Sequence, residues 1–265
     1  MSVLSGSMVV VSAVSYAPFI ATTVAGEASW PSLFFLSLLG GFLALDDTAL
    51  AQTWFSQPLA AGALAGIFCG DPAAGLAVGL LVQLVKVGDL PVGQSFTGEP
   101  AVPVVAAIGG VVLGGHRLAL PFQNASLDSV ALTGWVVLGV GLLSAVGHWI
   151  VQAERRAHVL WMLQGHLTLR DGALGRIERL HFRCLASTFL RGFIFCSLFL
   201  LLFLRLWVPA FEYLPVRARD AMAMLPLILP GLGIGALVDR FGLGNCWHWL
   251  TGGAVLSFAL SRFLL

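Results

Sequence analysis

Between positions 46 and 99 an otherwise apolar chain places Asp46, Asp47, Gln52, Gln57, Asp71, Gln83, Lys86, Asp89 and Glu99, with the aromatic pair Trp54-Phe55 among them. Carboxylates only accept hydrogen bonds, whereas glutamine amides both donate and accept. Beside an aromatic ring, that combination suits a ligand with many hydroxyls and a C–H face to stack, as a sugar has. The residues read as substrate-binding are Asp47, Gln52, Trp54, Gln57, Gln83 and Glu99. Asp71 and Asp89 each follow a glycine at an apparent turn and read as caps. An ionised side chain at the centre of a bilayer costs at least ~2.5–3.5 kcal/mol, so such groups face a cavity or one another.

A bilayer is the relevant solvent. Of 265 residues, 58% are hydrophobic and 10% charged, and the mean hydropathy is +0.92. Apolar runs near 8–25, 130–152, 189–208 and 245–264 are long enough to span. Runs at 32–45, 58–88, 100–115 and 221–238 are shorter or interrupted. Continuous rather than alternating hydrophobicity excludes strands. The expected fold is an all-α polytopic membrane protein with about seven to nine spanning or half-spanning helices, read as one integral membrane domain over 1–265. The N-terminal run lacks a basic flank and is expected to remain as an uncleaved first helix.

The elements that must position the polar residues are broken ones. Gly70-Asp71-Pro72 cuts the apolar segment 58–88, because Pro72 has no amide donor and disfavours helix at Asp71. Each arm is too short to cross alone, the geometry by which discontinuous helices line a polar site. Glycines 62, 66, 70, 75 and 79 form a ridge for close helix packing. Pro226, Pro230 and Gly231 predict a kink or interruption near the C-terminus.

Charge is segregated. Lys86 is the only base among the first 116 residues, while 154–191 holds seven of the 14 Lys and Arg. Basic loops stay cytoplasmic, so this stretch is placed there. Leu174, Ile177, Leu180 and Cys184 recur at helical spacing opposite Arg176, Arg179 and Arg183, a pattern that fits a headgroup-layer helix or a partner's docking surface. A net charge of +1 gives no case for nucleic acid. Cys69, Cys184, Cys196 and Cys246 show no metal-ligand spacing and read as packing residues. The six histidines have no acid at a useful spacing. No catalytic centre, metal or cofactor is expected.

The stretch "LDDTALAQTWFSQPLAAGALAGIFCGD", followed by "GLLVQLVKVGDLPVGQSFTGEPA", resembles the membrane component IIC of the mannose/fructose/sorbose family of the bacterial sugar phosphotransferase system (PTS). That family has an Asp, a Gln five residues on, then Ser-Arg-Pro-Leu; here these are Asp47, Gln52, Ser56, Gln57, Pro58 and Leu59. Its Gly-Asp turn is matched by Gly70-Asp71, its "LE" acid by Gln83, its second turn by "GDLPVG" (88–93), and its Pro-Asp by Gly98-Glu99. The collinear match covers about 45–110.

The resemblance implies a sugar-translocating subunit of the bacterial inner membrane. It would import a hexose-type sugar, pair with a membrane IID subunit, and hand the sugar to a cytoplasmic IIB phosphocarrier charged by IIA. Homo-oligomers of IIC–IID units fit the same picture. The chain departs from the family where Gln57 replaces an Arg and Gln83 a Glu, which would leave a facing pair neutral. These departures keep open a non-transporting scaffold or sensor derived from such a subunit. On chemistry alone, Glu99 or Asp47 would also serve an ion-coupled secondary transporter.

Overall fold

The computed structural model describes the backbone at 30–87, 99–121, 125–170 and 174–264. Among these residues there are eight labelled helices and no strand: α1 (Trp30–Thr48), α2 (Pro58–Cys69), α3 (Pro72–Lys86), α4 (Ala101–Leu113), α5 (Leu127–Arg170), α6 (Leu174–Leu202), α7 (Val216–Phe241) and α8 (Leu243–Leu264). A π-helical turn, Phe203–Trp207, and short helical turns through Tyr213 extend α6. The protein is an all-α, multi-pass membrane protein. Three helical stretches, Leu127–Leu167, Ile177–Tyr213 and Val216–Phe241, are long and apolar enough to cross a bilayer. The expected helix at 8–25 and the 88–93 turn lie outside the described residues.

The Gly-Asp-Pro break forms as the sequence requires. Gly70 ends α2 with φ +82°, a left-handed conformation that glycine adopts without a Cβ clash. Pro72 then occupies the first turn of α3, and the Asp71 carboxylate caps that helix by accepting from the Ala74 amide at 3.0 Å. The two arms fold back on each other with backbones nearly touching. A Cβ on Gly75 would meet Gly62 O at 2.2 Å, and one on Gly79 would meet Pro58 O at 2.7 Å. At about 1.5 Å per residue, α2 and α3 are roughly 18 and 23 Å long, short of the ~30 Å hydrocarbon thickness.

The core centres on α4, whose first eleven residues are all buried. It packs against α1, α2 and α6. Gly110 lies where a Cβ would come within 2.5 Å of Phe203 Cβ, so the π-turn sits directly on α4. That turn is pinned to α5 by a reciprocal tryptophan pair. Trp135 and Trp207 stack at 4.4 Å, and each indole N–H donates to the other's carbonyl, at 2.8 and 3.0 Å.

Two sequence expectations need correction. The segment 154–191 is no isolated surface helix: it is the far end of α5 and the first half of α6, paired with each other. Arg183 lies 4.2 Å over the Trp161 ring, and Leu180 packs on Gly165. The side chains of Leu174 and Arg176, which carried part of the amphipathic pattern, lie outside the described set. Near the C-terminus, α7 runs through Pro226 and Pro230 without a break, so of the expected kink or interruption the interruption is absent.

Candidate functional site

The polar residues between 46 and 99 fall into three groups. In the first, Asp46 near the end of α1 organises the loop that follows. Its carboxylate accepts from Thr53 N at 2.7 Å, Thr53 Oγ1 at 2.6 Å and Ser56 N at 3.0 Å. The loop needs this tether, because Ala51, Gln52 and Trp54 all have φ between +53° and +77°, a conformation costly for residues with a Cβ. The tethered loop leaves Gln52 and Trp54 exposed, Trp54 to 78%. Beneath it a cleft of about 240 Å³ is lined by Leu39, Phe42, Leu50, Phe55 and Leu64, with Asp46 at its edge.

The second group joins the ends of the broken hairpin. Gln83 Nε2 donates to Gln57 Oε1 at 3.3 Å, and Leu59 N donates to Gln83 Oε1 at 3.4 Å. The facing pair inferred from two departures in sequence is therefore a contact in the structure.

The third group is ionic and buried. Glu99, 4% exposed, precedes α4 and pairs with Arg191 on α6. Arg191 Nε also reaches Glu154 Oε2 on α5 at 2.5 Å. Ser187 donates to Glu154 Oε1 at 3.0 Å, and His158 Nε2 lies 3.6 Å from the same oxygen. Asp47, half-buried, lies within electrostatic range of Arg191, Arg155 and Glu99. Small residues permit this convergence: a Cβ on Gly192 would meet Ala44 Cβ at 2.4 Å and Gly40 O at 2.7 Å, so α6 presses onto α1 beside Arg191.

Sequence reading had placed Arg191 among the basic residues of a cytoplasmic surface. Its side chain is instead 9% exposed and ion-paired on both sides. The reading of the histidines is corrected too, because His158 has Glu154 one helical turn away. Gln83 and Glu99 belong to different hydrogen-bonded groups, so the six candidate residues do not form one cluster. Arg191, Glu154 and Ser187 were missed. One signal was available: Arg191 is a lone cation within "LASTFLRGFIF", apolar on both sides, where a charge requires a partner.

The family model for "PTS system sorbose-specific IIC component" matches residues 30–264. The chain belongs to that family. This PTS IIC chain has structural relatives at low sequence identity. One, titled "Structure of membrane protein", shares 16% identity at a TM-score of 0.66, over 87% of each chain. Another, from a complex of the mannose transporter ManYZ with microcin E492, shares 17% identity at a TM-score of 0.50, over 90% of this chain and 88% of that one. No curated protein sequence matches the IIC chain. At such identities the solved structures establish a common fold, and it is the family match over most of the chain that makes this a membrane component of PTS sugar transport.

Proposed function

We propose that this IIC subunit carries a hexose-type sugar across the bacterial cytoplasmic membrane, with a membrane IID partner, and delivers it to a cytoplasmic IIB phosphocarrier supplied by IIA. The family match over 30–264 carries this reading. The broken α2–α3 hairpin and the polar groups around it support it, as places where short helices leave backbone and side chains for a ligand. Around the hairpin, the Gln57–Gln83 pair offers amide donors and acceptors for sugar hydroxyls, Glu99 and Asp47 offer carboxylate acceptors near Arg191, and Gln52 and Trp54 stand apart on the exposed loop, where Trp54 offers a stacking face. Phosphoryl chemistry is assigned to the partners. With the basic end of α5 and α6 cytoplasmic, the buried Glu99–Arg191–Glu154 group lies toward the side where IIB would receive the sugar.

Uptake of radiolabelled hexose by cells carrying the chain and its partner subunits tests the reading. Gln83→Leu and Glu99→Ala are each expected to reduce kcat/KM for uptake by about tenfold or more, the loss of one hydrogen bond to a polar ligand. Wild-type uptake by both variants would remove these residues from the site.

A further inference from the structure

The two carboxylates that share Arg191 are not equivalent. Glu154 is engaged on both oxygens, by the Ser187 hydroxyl on Oε1 and by Arg191 on Oε2. Glu99 is engaged on one. Its Oε2 takes the Arg191 guanidinium, while Oε1 is buried and has no hydrogen-bond partner among the described residues. A buried acceptor left open is costly and uncommon in a native protein, and more so on a carboxylate. The missing partner is a hydrogen-bond donor, which the hydroxyls of the proposed sugar can supply. A hydroxyl fits best, since an O–H···O⁻ bond is short and strong.

We infer that Glu99 Oε1 accepts from one particular hydroxyl of the transported sugar, and that Arg191, set in place by Glu154, is the positioning residue that aims it. The inference rests on the function proposed above and adds to it a polar relay from α5 through α6 to the ligand. Glu154 fixes the guanidinium through Nε, and the neighbouring nitrogen Nη1 fixes Glu99. The planar fork of arginine can hold two carboxylates in set directions at once; the point charge of lysine cannot. Turning Glu99 about its tethered oxygen would move Oε1 off the hydroxyl, so Arg191 governs recognition of that group without touching the sugar.

The test is the kcat/KM for uptake of the parent hexose and of each monodeoxy analogue, in cells carrying the chain with its partner subunits. Wild type is expected to reject one analogue by about tenfold or more, as a site built around a hydroxyl rejects a ligand lacking it. In Glu99→Gln that ratio should fall toward one. Arg191→Lys should lower the ratio at the same hydroxyl and leave the others unchanged, a pattern that general destabilisation does not produce. Should Arg191→Lys fail to reach the membrane, Glu154→Gln, which keeps the Arg191–Glu99 pair but loosens its aim, is expected to show the same selective loss. Unchanged ratios, an equal loss at every hydroxyl, or a wild type that rejects no analogue overturns the inference and leaves sugar transport standing. Absence of any wild-type hexose uptake overturns both.

Discussion

The contact between Gln57 and Gln83 shows how a polar pair can be kept while its charge is removed. The amides meet at 3.3 Å, and Gln83 also accepts from the Leu59 amide. In the family pattern these positions carry an Arg and a Glu, which in a weakly solvated hairpin must come and go together, since either charge alone is left without its counter-ion. Restoring both with Gln57→Arg/Gln83→Glu is expected to yield a favourable coupling energy of about 0.5–3 kcal/mol in thermal unfolding of the purified protein. Each single change should be less stable than either end of the cycle. Strictly additive effects would mean that the side chains do not interact. Asp46 is a residue of another kind, because it holds three left-handed residues in place through three bonds. Asp46→Ala is expected to destabilise the protein by about 2–4 kcal/mol, given that bonds to a charged group are worth ~1.5–3 kcal/mol each. It should also expose the 49–57 loop to proteolysis, while Asp46→Asn, which keeps one acceptor oxygen, is milder on both counts.

At the scale of elements the α2–α3 hairpin depends on the absence of side chains. Gly75→Ala would drive a Cβ into Gly62 O, a backbone atom that cannot turn aside. An expected loss of about 1–3 kcal/mol in detergent-solubilised thermal stability follows from overpacking. Gly141→Ala, where nothing lies within 4 Å of the added methyl, is the matched control and should leave stability unchanged or raise it by up to about 1 kcal/mol, the helix preference of alanine over glycine. This hairpin was legible in the sequence because its determinants are local: Gly70 for the left-handed turn, Pro72 for the restart, and glycines at helical spacing for the contact face. The ionic group was only half legible. Glu99 stood out as a charge beside an apolar helix, but its partners lie 92 residues away and, for the Arg191–Glu154 link, 37 residues apart. Periodicity along one helix carries no information about which residue of another helix it will meet. The same limit applies to Trp135 and Trp207, whose mutual bonds join residues 72 positions apart. A basic residue count put Arg191 on the surface because counting ignores its apolar neighbours.

On the whole molecule, polar groups mark two levels along α5. One is a cleft of about 310 Å³ lined by His116, Arg117, Asp128, Glu212 and Arg219, where Arg219 donates to the Glu212 carbonyl at 2.5 Å and stacks over Phe211. The other is the Glu99–Arg191–Glu154 group. Asp128 and Glu154 are separated along α5 by roughly 39 Å at about 1.5 Å per residue, close to the ~40–45 Å of a bilayer with its headgroups. The helix continues to Arg170, so its last turns and the start of α6 project beyond the second level by roughly 24 Å. Seven of the 14 cations lie on that projecting pair or at its base, and we propose from the positive-inside rule that this end is cytoplasmic. Single cysteines at two exposed positions, Ser126→Cys and Arg156→Cys, test this arrangement in a background with Cys69, Cys184, Cys196 and Cys246 replaced. A membrane-impermeant maleimide should label position 126 in intact cells and position 156 only after permeabilisation. Labelling of both from outside would place the two ends of α5 on one face of the membrane. Such a helix could not cross, and the polar groups around Asp128 and Glu154 could not flank a hydrocarbon layer.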